Sequence, residues 1–172
     1  MNLIRTGRLA SFAAAALVLA ACESQPTTPT AAAPLLNETD RLVVNVEDVQ
    51  ESTLRYLFST KGAEGMDAYC VSTGYPESDD DAAATLLARF ADQKPAVVAL
   101  SGCTISVSGD TYNATGGPAE WFKVGSPQVQ GRKASIPAAF HINGRLAESF
   151  LCELRYHRGA WTVAGCELTA AA

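Results

Sequence analysis

Five cysteines carry the clearest chemical information in this chain. Cys70, Cys103, Cys152 and Cys166 are spread over a stretch of ordinary domain length, whereas Cys22 directly follows a short apolar segment. In an oxidising compartment an even set of cysteines is most often paired in disulfides, and four cysteines allow three pairings. The alternative, a metal site or a catalytic thiol, lacks a Cys-x-x-Cys motif or a Cys/His cluster to support it.

We predict the pairs Cys70–Cys103 and Cys152–Cys166. The second pair falls in two consecutive predicted strands, 150–156 and 161–168. A three-residue loop at 158–160 places these two cysteines directly opposite each other, whereas a bulge at Gly159 moves them to a diagonal that exceeds the usual Cα separation. The geometry of this turn therefore decides whether the second bridge forms.

The N-terminus has the charge order of a secretory signal. Arg5 and Arg8 precede the uncharged run 9–20, and no acidic residue occurs before Cys22. A transmembrane helix needs about 20 apolar residues. The run is therefore too short for a permanent membrane span.

The tetrapeptide Leu19-Ala20-Ala21-Cys22 resembles the lipobox of bacterial lipoprotein precursors. This resemblance implies that residues 1–21 are a signal peptide, that the Cys22 thiol receives a diacylglyceryl group and that its freed amine receives a further chain such as palmitate. Each buried methylene contributes about 0.8 kcal/mol to anchoring. Glu23 replaces the aspartate that resembles an inner-membrane retention signal in enteric bacteria, which favours the periplasmic face of the outer membrane. The alternative is an ordinary signal peptide, with Cys22 incidental.

The mature chain is predicted to be a tether followed by one acidic domain. Residues 22–36, rich in Pro, Thr and Ala, form the tether, and residues 37–172 form a single α+β domain. The leader carries two of the 13 basic residues and no acidic one, so the mature chain has 11 basic and 18 acidic side chains, a net charge of −7. Such a charge disfavours nucleic acid and anionic headgroups as partners, so we expect the lipid to provide the membrane attachment.

Two helices are predicted to open the domain. The first spans 46–60, with Asn45 as its N-cap and Lys61-Gly62 at its end, while 42–44 remain either a short strand or an extra turn. The second spans 78–91, capped by Ser78, with the aspartates 79–81 at the positive end of its dipole. These aspartates could instead bind calcium, but they lack the ligand spacing of an EF-hand loop.

From residue 95 onward, alternating residues predict strands near 96–108, 111–115, 120–124, 129–142, 145–156 and 161–168. Asn143-Gly144 and Arg158-Gly159 are the predicted hairpin turns. With Gly144 as a bulge, one sheet face collects Ile136, Ala138, Phe140, Leu146, Phe150, Cys152 and Leu154. The sequence therefore predicts an α+β fold in which two N-terminal helices pack on a curved antiparallel β-meander sheet.

The closing segment is similar to the C-terminal half of cystatin-like or NTF2-like domains, because an Asn-Gly hairpin is followed by Arg-Gly, Trp161-Thr162-Val163 and a last strand. In those domains a curved sheet wraps a helix, and its open mouth can hold a small ligand. The resemblance to NTF2-like enzymes implies an inward acid or histidine acting as base. The candidate ligand-binding residues here are Asp110, Tyr112, Glu120, Trp121 and His141.

Plainer interpretations exist for these residues. Carboxylates at loop ends are usually solvated, and His141 and His157 both flank predicted turns. Tyr69 and Tyr75 could form a recognition patch, but packing around a Cys70–Cys103 bridge is the favoured interpretation.

No P-loop, dinucleotide fingerprint, Gly-x-Ser-x-Gly or His-x-x-x-His motif occurs, so no cofactor, metal or catalytic residue is predicted. We expect a lipid-anchored envelope protein with a disulfide-stabilised, non-catalytic domain that binds an unidentified protein or small molecule. The alternative is an NTF2-like enzyme or ligand carrier that binds a small molecule.

Overall fold

Helix α1 (Val46–Lys61) is the principal helix of the computed structural model, which describes residues 44–142 and 145–171. The Asn45 side chain accepts a hydrogen bond of 3.0 Å from the backbone N–H of Glu47, and the N–H of Gly62 donates to the Phe58 carbonyl at the other end. The predicted bounds and cap of this helix match the structure within one residue. Its buried stripe consists of Val49, Gln50, Thr53, Leu54, Leu57 and Phe58.

The second predicted helix, 78–91, is wrong over most of its length. Helix α2 spans only Ala84–Ala88 and has no side-chain cap. Ser78 does not cap it, because its hydroxyl donates to the Asp80 carboxylate at 2.6 Å. Asp80–Asp81 instead forms a short strand, β2, since aspartate side chains favour local bonds over helix interiors. Leu86 and Phe90 are nevertheless buried in the core.

Nine further strands accompany β2 in one sheet. They are β1 (Ala68–Thr73), β3 (Ala96–Ala99), β4 (Cys103–Ile105), β5 (Thr111–Asn113), β6 (Pro118–Val124), β7 (Gln128–Gln130), β8 (Lys133–Ile142), β9 (Arg145–His157) and β10 (Ala160–Ala171). The main order is β10-β9-β8-β6-β1-β2, with β3 beside β1, β5 beside both β4 and β6, and β7 beside β8. The described residues thus form an α+β fold with one main helix and a large sheet.

The prediction of an antiparallel meander is correct for β6 and β8–β10, but β1 does not follow it. Strand β1 pairs in parallel with both β3 and β6. Strand β1 is absent from the predicted strands, because it is buried on both faces and its sequence therefore shows no alternation.

Two predicted strands are interrupted by turns. A 3₁₀ turn at Leu100–Gly102 divides the predicted strand 96–108. The predicted strand 129–142 is divided by a turn in which Gly131 has a φ of 60°, a conformation that glycine adopts without steric cost.

Both predicted disulfides are present, Cys70–Cys103 and Cys152–Cys166. The geometry behind the second differs from the expectation. A two-residue turn joins β9 to β10, with His157 opposite Ala160, and a register shift between Val163 and Gly165 then brings Cys166 opposite Cys152. The Cα atoms of these cysteines are 3.9 Å apart. The bulge therefore supplies the extra residue that was expected in the loop.

Helix α1 packs on one face of the sheet, which we call the helix face. The predicted grouping on this face is confirmed for its described members, the buried residues Ile136, Ala138, Phe140, Phe150, Cys152 and Leu154. The opposite side, which we call the outer face, holds a smaller buried cluster of Ala68, Cys70, Ala119 and Trp121.

Several predictions lie outside the described residues. These are the signal peptide, Cys22, the tether and the Asn143-Gly144 turn. Within the described ranges, no helix has both the length and the apolar character needed to cross a membrane.

Candidate functional site

Strand β6 divides the candidate ligand-binding residues between the two faces of the sheet. Trp121 and Glu120 are neighbours on this strand, so their side chains point in opposite directions. His141 of β8 lies directly opposite Trp121 and shares the outer face with it. Glu120 instead faces α1, and the five predicted residues therefore do not line one pocket.

Trp121 is the centre of a polar and aromatic group on the outer face. The His141 ring stacks on it, with centroids 4.6 Å apart and an angle of 21° between planes. The indole N–H donates to the Ser72 hydroxyl at 2.9 Å, and the Lys123 ammonium lies 3.8 Å from the ring centroid. Lys123 also pairs with Asp79 at 2.7 Å. We call these five residues the Trp121 cluster.

The segment between β1 and β2 is held against this cluster. The Tyr75 hydroxyl donates to the Ser149 hydroxyl at 2.8 Å, and the Lys123 ammonium lies 5.8 Å from the Tyr75 ring centroid. A Cβ at Gly125 would collide with the Tyr75 carbonyl oxygen, so only glycine permits this close approach. The segment is thus fixed by a hydrogen bond, a cation–π contact and a backbone contact.

The plainer interpretation, in which His141 is an exposed residue beside a turn, is wrong. The side chain is half-buried. Its Nε2 atom is buried and has no hydrogen-bond partner among the described residues. Burial lowers the pKa of this imidazole, the Lys123 charge lowers it further, and Asp79 acts in the opposite direction. The ring is therefore neutral at pH 7, and Nε2 can donate or accept one hydrogen bond. His157, by contrast, is exposed.

Glu120 is a buried acid on the helix face, with 3% of its surface exposed. Oε2 accepts a hydrogen bond of 3.0 Å from the Ala63 N–H, while Oε1 is buried without a partner in the described part of the chain. Burial raises the pKa of this carboxyl, and the bond from Ala63 partly offsets that effect. Glu120 therefore holds its negative charge less readily than an exposed glutamate does.

Tyr69 belongs to the core on the helix face. Its ring stacks on Phe58 with centroids 4.7 Å apart, and burial, then the Glu120 charge, raises its pKa. Cys70 points to the outer face, so Tyr69 does not pack around the Cys70–Cys103 bridge as expected. Neither does it contribute to an exposed recognition patch.

Asp110 and Tyr112 stay apart from the other candidates. Asp110 closes the turn between β4 and β5, where its carboxylate accepts from Ser108 at 2.7 Å and its N–H donates to Ser106 at 2.9 Å. Tyr112 on β5 is 38% exposed. These contacts give Asp110 a turn-forming role.

Sequence reasoning missed Lys123 and Asp79. Strand alternation places Lys123 on the face of Trp121, so this residue was accessible to prediction. Asp79 was assigned to a helix N-terminus, and nothing in the sequence signals its ion pair with a lysine 44 residues later. Within the described ranges, no three His, Cys, Asp or Glu side chains form a group able to hold a metal ion.

No family model, curated protein or solved structure matches this chain. The similarity to cystatin-like or NTF2-like domains stays a prediction from element order, and any function has to be argued from the residues themselves.

Proposed function

We propose that this chain is a lipid-anchored envelope protein whose disulfide-stabilised domain binds a ligand or partner without catalysis. The observation that carries the proposal is the pairing of four of the five cysteines within the domain. Disulfides persist in oxidising compartments and are rare in reducing ones. Cys22, the remaining cysteine, then stands at the lipobox-like site where acylation is expected.

Each of the two bridges joins two strands of the sheet. Cys70–Cys103 joins β1 to β4 within the small outer-face cluster, and Cys152–Cys166 joins the two longest strands near the sheet edge. Closing loops of this size contributes about 3–4 kcal/mol each in the chain-entropy account. A domain exposed outside the cytoplasm benefits from this, because no cytosolic chaperone acts on it there.

The Trp121 cluster is the region where we place binding. Its aromatic rings are fixed by stacking and by the bond to Ser72, so little conformational entropy is lost when a partner docks. The buried His141 Nε2 provides one unsatisfied hydrogen-bonding atom at this site. A ligand that reaches this atom gains one hydrogen bond there.

Mass spectrometry of the protein from isolated membranes tests the location. We expect a mature chain that starts at an acylated Cys22, with the four domain thiols resistant to maleimide until reduction. Cys22→Ala should abolish acylation and membrane retention, and Ser24→Ala is the matched control. An intact chain in the cytosol with all thiols reduced contradicts the proposal.

A second candidate is an NTF2-like enzyme or ligand carrier, in which the sheet curves around α1. Glu120, one of its predicted residues, faces α1 and holds a buried carboxylate oxygen that lacks a partner among the described residues, which favours this candidate. A thermal-shift screen of the oxidised protein against metabolites tests it. A ligand whose stabilising effect is lost in Glu120→Gln, but not in the exposed Glu77→Gln, would support the carrier.

A further inference from the structure

The basic residues of this acidic protein are segregated. Ion pairs in the described part of the chain engage Arg55, Lys61, Arg89 and Lys123. A second group of four lies where the β7–β8 and β9–β10 turns meet, and none of its members forms a salt bridge with another described residue. We call this group the basic end; it consists of Arg132, Lys133, Arg155 and Arg158.

The two turns are joined directly, so the four charges share one end of the sheet. The Tyr156 N–H donates to the Arg132 carbonyl at 2.9 Å, and the Arg132 side chain donates back to the Tyr156 carbonyl at 3.3 Å. Arg158 occupies the β9–β10 turn itself. All four residues are exposed.

Three of these charges are held at a local energetic cost. Lys133 and Arg155 are direct cross-strand partners on the outer face, where like charges destabilise a sheet. Arg158 has a φ of 52°, a conformation in which asparagine or glycine is favoured at this kind of turn. These contacts within the domain do not explain why cations occupy these positions. An anionic partner outside the domain would explain them.

Acidic residues near the basic end do not cancel it. Glu153 lies on the same face, one row along, and lines a cleft with Lys133, Arg155, Gln128 and Ser135. The acids of the first turns of α1 lie on the helix face, where Arg55 and Arg89 already engage them. The outer surface at this end therefore carries a net positive charge.

The basic end lies nearer to the first half of α1 than to its last turn. Strand β9 runs antiparallel to α1, since Glu148 pairs with Lys61 at the end of the helix while the Ser52 hydroxyl donates to the Trp161 carbonyl at 3.0 Å. The β9–β10 turn thus faces the first half of α1, where Gly159 and Ala160 line a cleft with Asp48 and Ser52.

We propose that the basic end docks on anionic lipid headgroups of the membrane that carries the anchor. This inference rests on the proposed acylation of Cys22, which confines the domain to a bilayer surface. Lysine and arginine side chains near an anionic leaflet each add to membrane attraction within a Debye length. The lipid retains the protein, and the basic end sets which surface of the domain faces the bilayer.

The test uses the full mature chain carrying Cys22→Ser, so that no acyl chain contributes to binding. Co-sedimentation is measured with vesicles of phosphatidylcholine alone and with vesicles containing phosphatidylglycerol. We expect binding to the anionic vesicles only, and its loss in 1 M salt, where the Debye length falls to about 3 Å. The double variant Lys133→Gln/Arg155→Gln should weaken partitioning at least about tenfold, as expected for two lost membrane-facing charges.

Lys94→Gln is the matched control, because Lys94 is exposed and lies outside the basic end. Circular dichroism confirms that each variant is folded. Equal binding to both vesicle types, binding to neither, or unchanged binding of the double variant overturns the inference. Binding to a soluble acidic peptide but not to vesicles also overturns it. Acylation of Cys22 is measured separately, so either idea can fail alone.

Discussion

The imidazole of His141 stacks on the indole of Trp121, and the Lys123 ammonium contacts the same indole. An aromatic ring thus lies against a neutral base and a buried cation on one face of the sheet. Because Lys123 is 8% exposed and paired with Asp79, its charge is only partly solvated. The stability of this face should therefore depend on Trp121 and on pH.

Replacing Trp121 should destabilise the domain strongly. Trp121→Ala removes a buried ring, its bond to Ser72 and the cation–π contact, and we expect a loss of about 3–5 kcal/mol in the free energy of unfolding. Urea denaturation under oxidising conditions measures it. The control is Tyr112→Ala on an exposed position, which should cost less than about 0.5 kcal/mol. A loss for Trp121→Ala as small as that of the control would contradict this packing.

His141 should make the fold less stable in acid. Its pKa is lowered in the folded state, so the unfolded chain binds more protons as pH falls through about 6.5, and stability declines from there until the folded-state pKa is passed. Above that window the group has no effect. His141→Gln should therefore flatten the fall in the urea midpoint between pH 7.5 and pH 5, whereas His157→Gln should leave it unchanged.

Glu120 should act with the opposite sign. Its pKa is raised in the folded state. Its contribution to the free energy of unfolding is therefore most favourable below the pKa of the unfolded chain, near 4.3, and is lost as pH rises through the folded-state pKa. Glu120→Gln keeps the acceptor for the Ala63 N–H and removes the buried charge. We expect it to raise the urea midpoint at pH 7 relative to the parent, with the gain shrinking towards pH 4. The exposed Glu77→Gln is the control.

Each disulfide should add measurably to the free energy of unfolding, and Cys70–Cys103, which closes the longer loop, should add more. Sequence separations of 33 and 14 residues predict that losing Cys70–Cys103 costs about 0.8 kcal/mol more than losing Cys152–Cys166 in the loop-entropy account. Double cysteine-to-alanine variants of each pair, unfolded in urea, measure the difference. A larger loss for the Cys152–Cys166 pair would show that strand packing outweighs loop length.

Arg158 should be a site where substitution stabilises the fold. Its positive φ is disfavoured for arginine, and Arg158→Asn should gain about 0.5–1 kcal/mol in a turn that prefers Asn-Gly. Arg158→Lys keeps both the charge and the backbone cost, so its thermal midpoint should match the parent. If Arg158→Asn is no more stable than Arg158→Lys, the positive φ of this residue does not cost the fold measurable stability.

Much of the fold could be predicted from local sequence signals. Asn45 and the apolar stripe of α1 define a helix, and alternation along β8 and β9 identifies the buried face. Strand β1 escaped prediction because residues buried on both faces leave no period, and its parallel partners lie about 28 and 51 residues further along the chain. The helix predicted to start at Asp79–Asp81 is absent there, because aspartates that suit the first turn of a helix also occur at turns and strand ends.

The candidate site was predicted only in part. Trp121 and His141 were identified, but their meeting depends on the register between β6 and β8, which no local signal fixes. The net charge of the whole chain also hid the basic end, because a sum over residues carries no information about where they gather.

The pairing of the cysteines has a consequence for biogenesis. Each domain cysteine is bonded to its neighbour in chain order, the first to the second and the third to the fourth. A thiol oxidant that joins cysteines in the order of their delivery across a membrane thus produces the native bonds directly. If the chain is exported with Cys22 acylated, as proposed, we expect the native bonds to form without a disulfide isomerase.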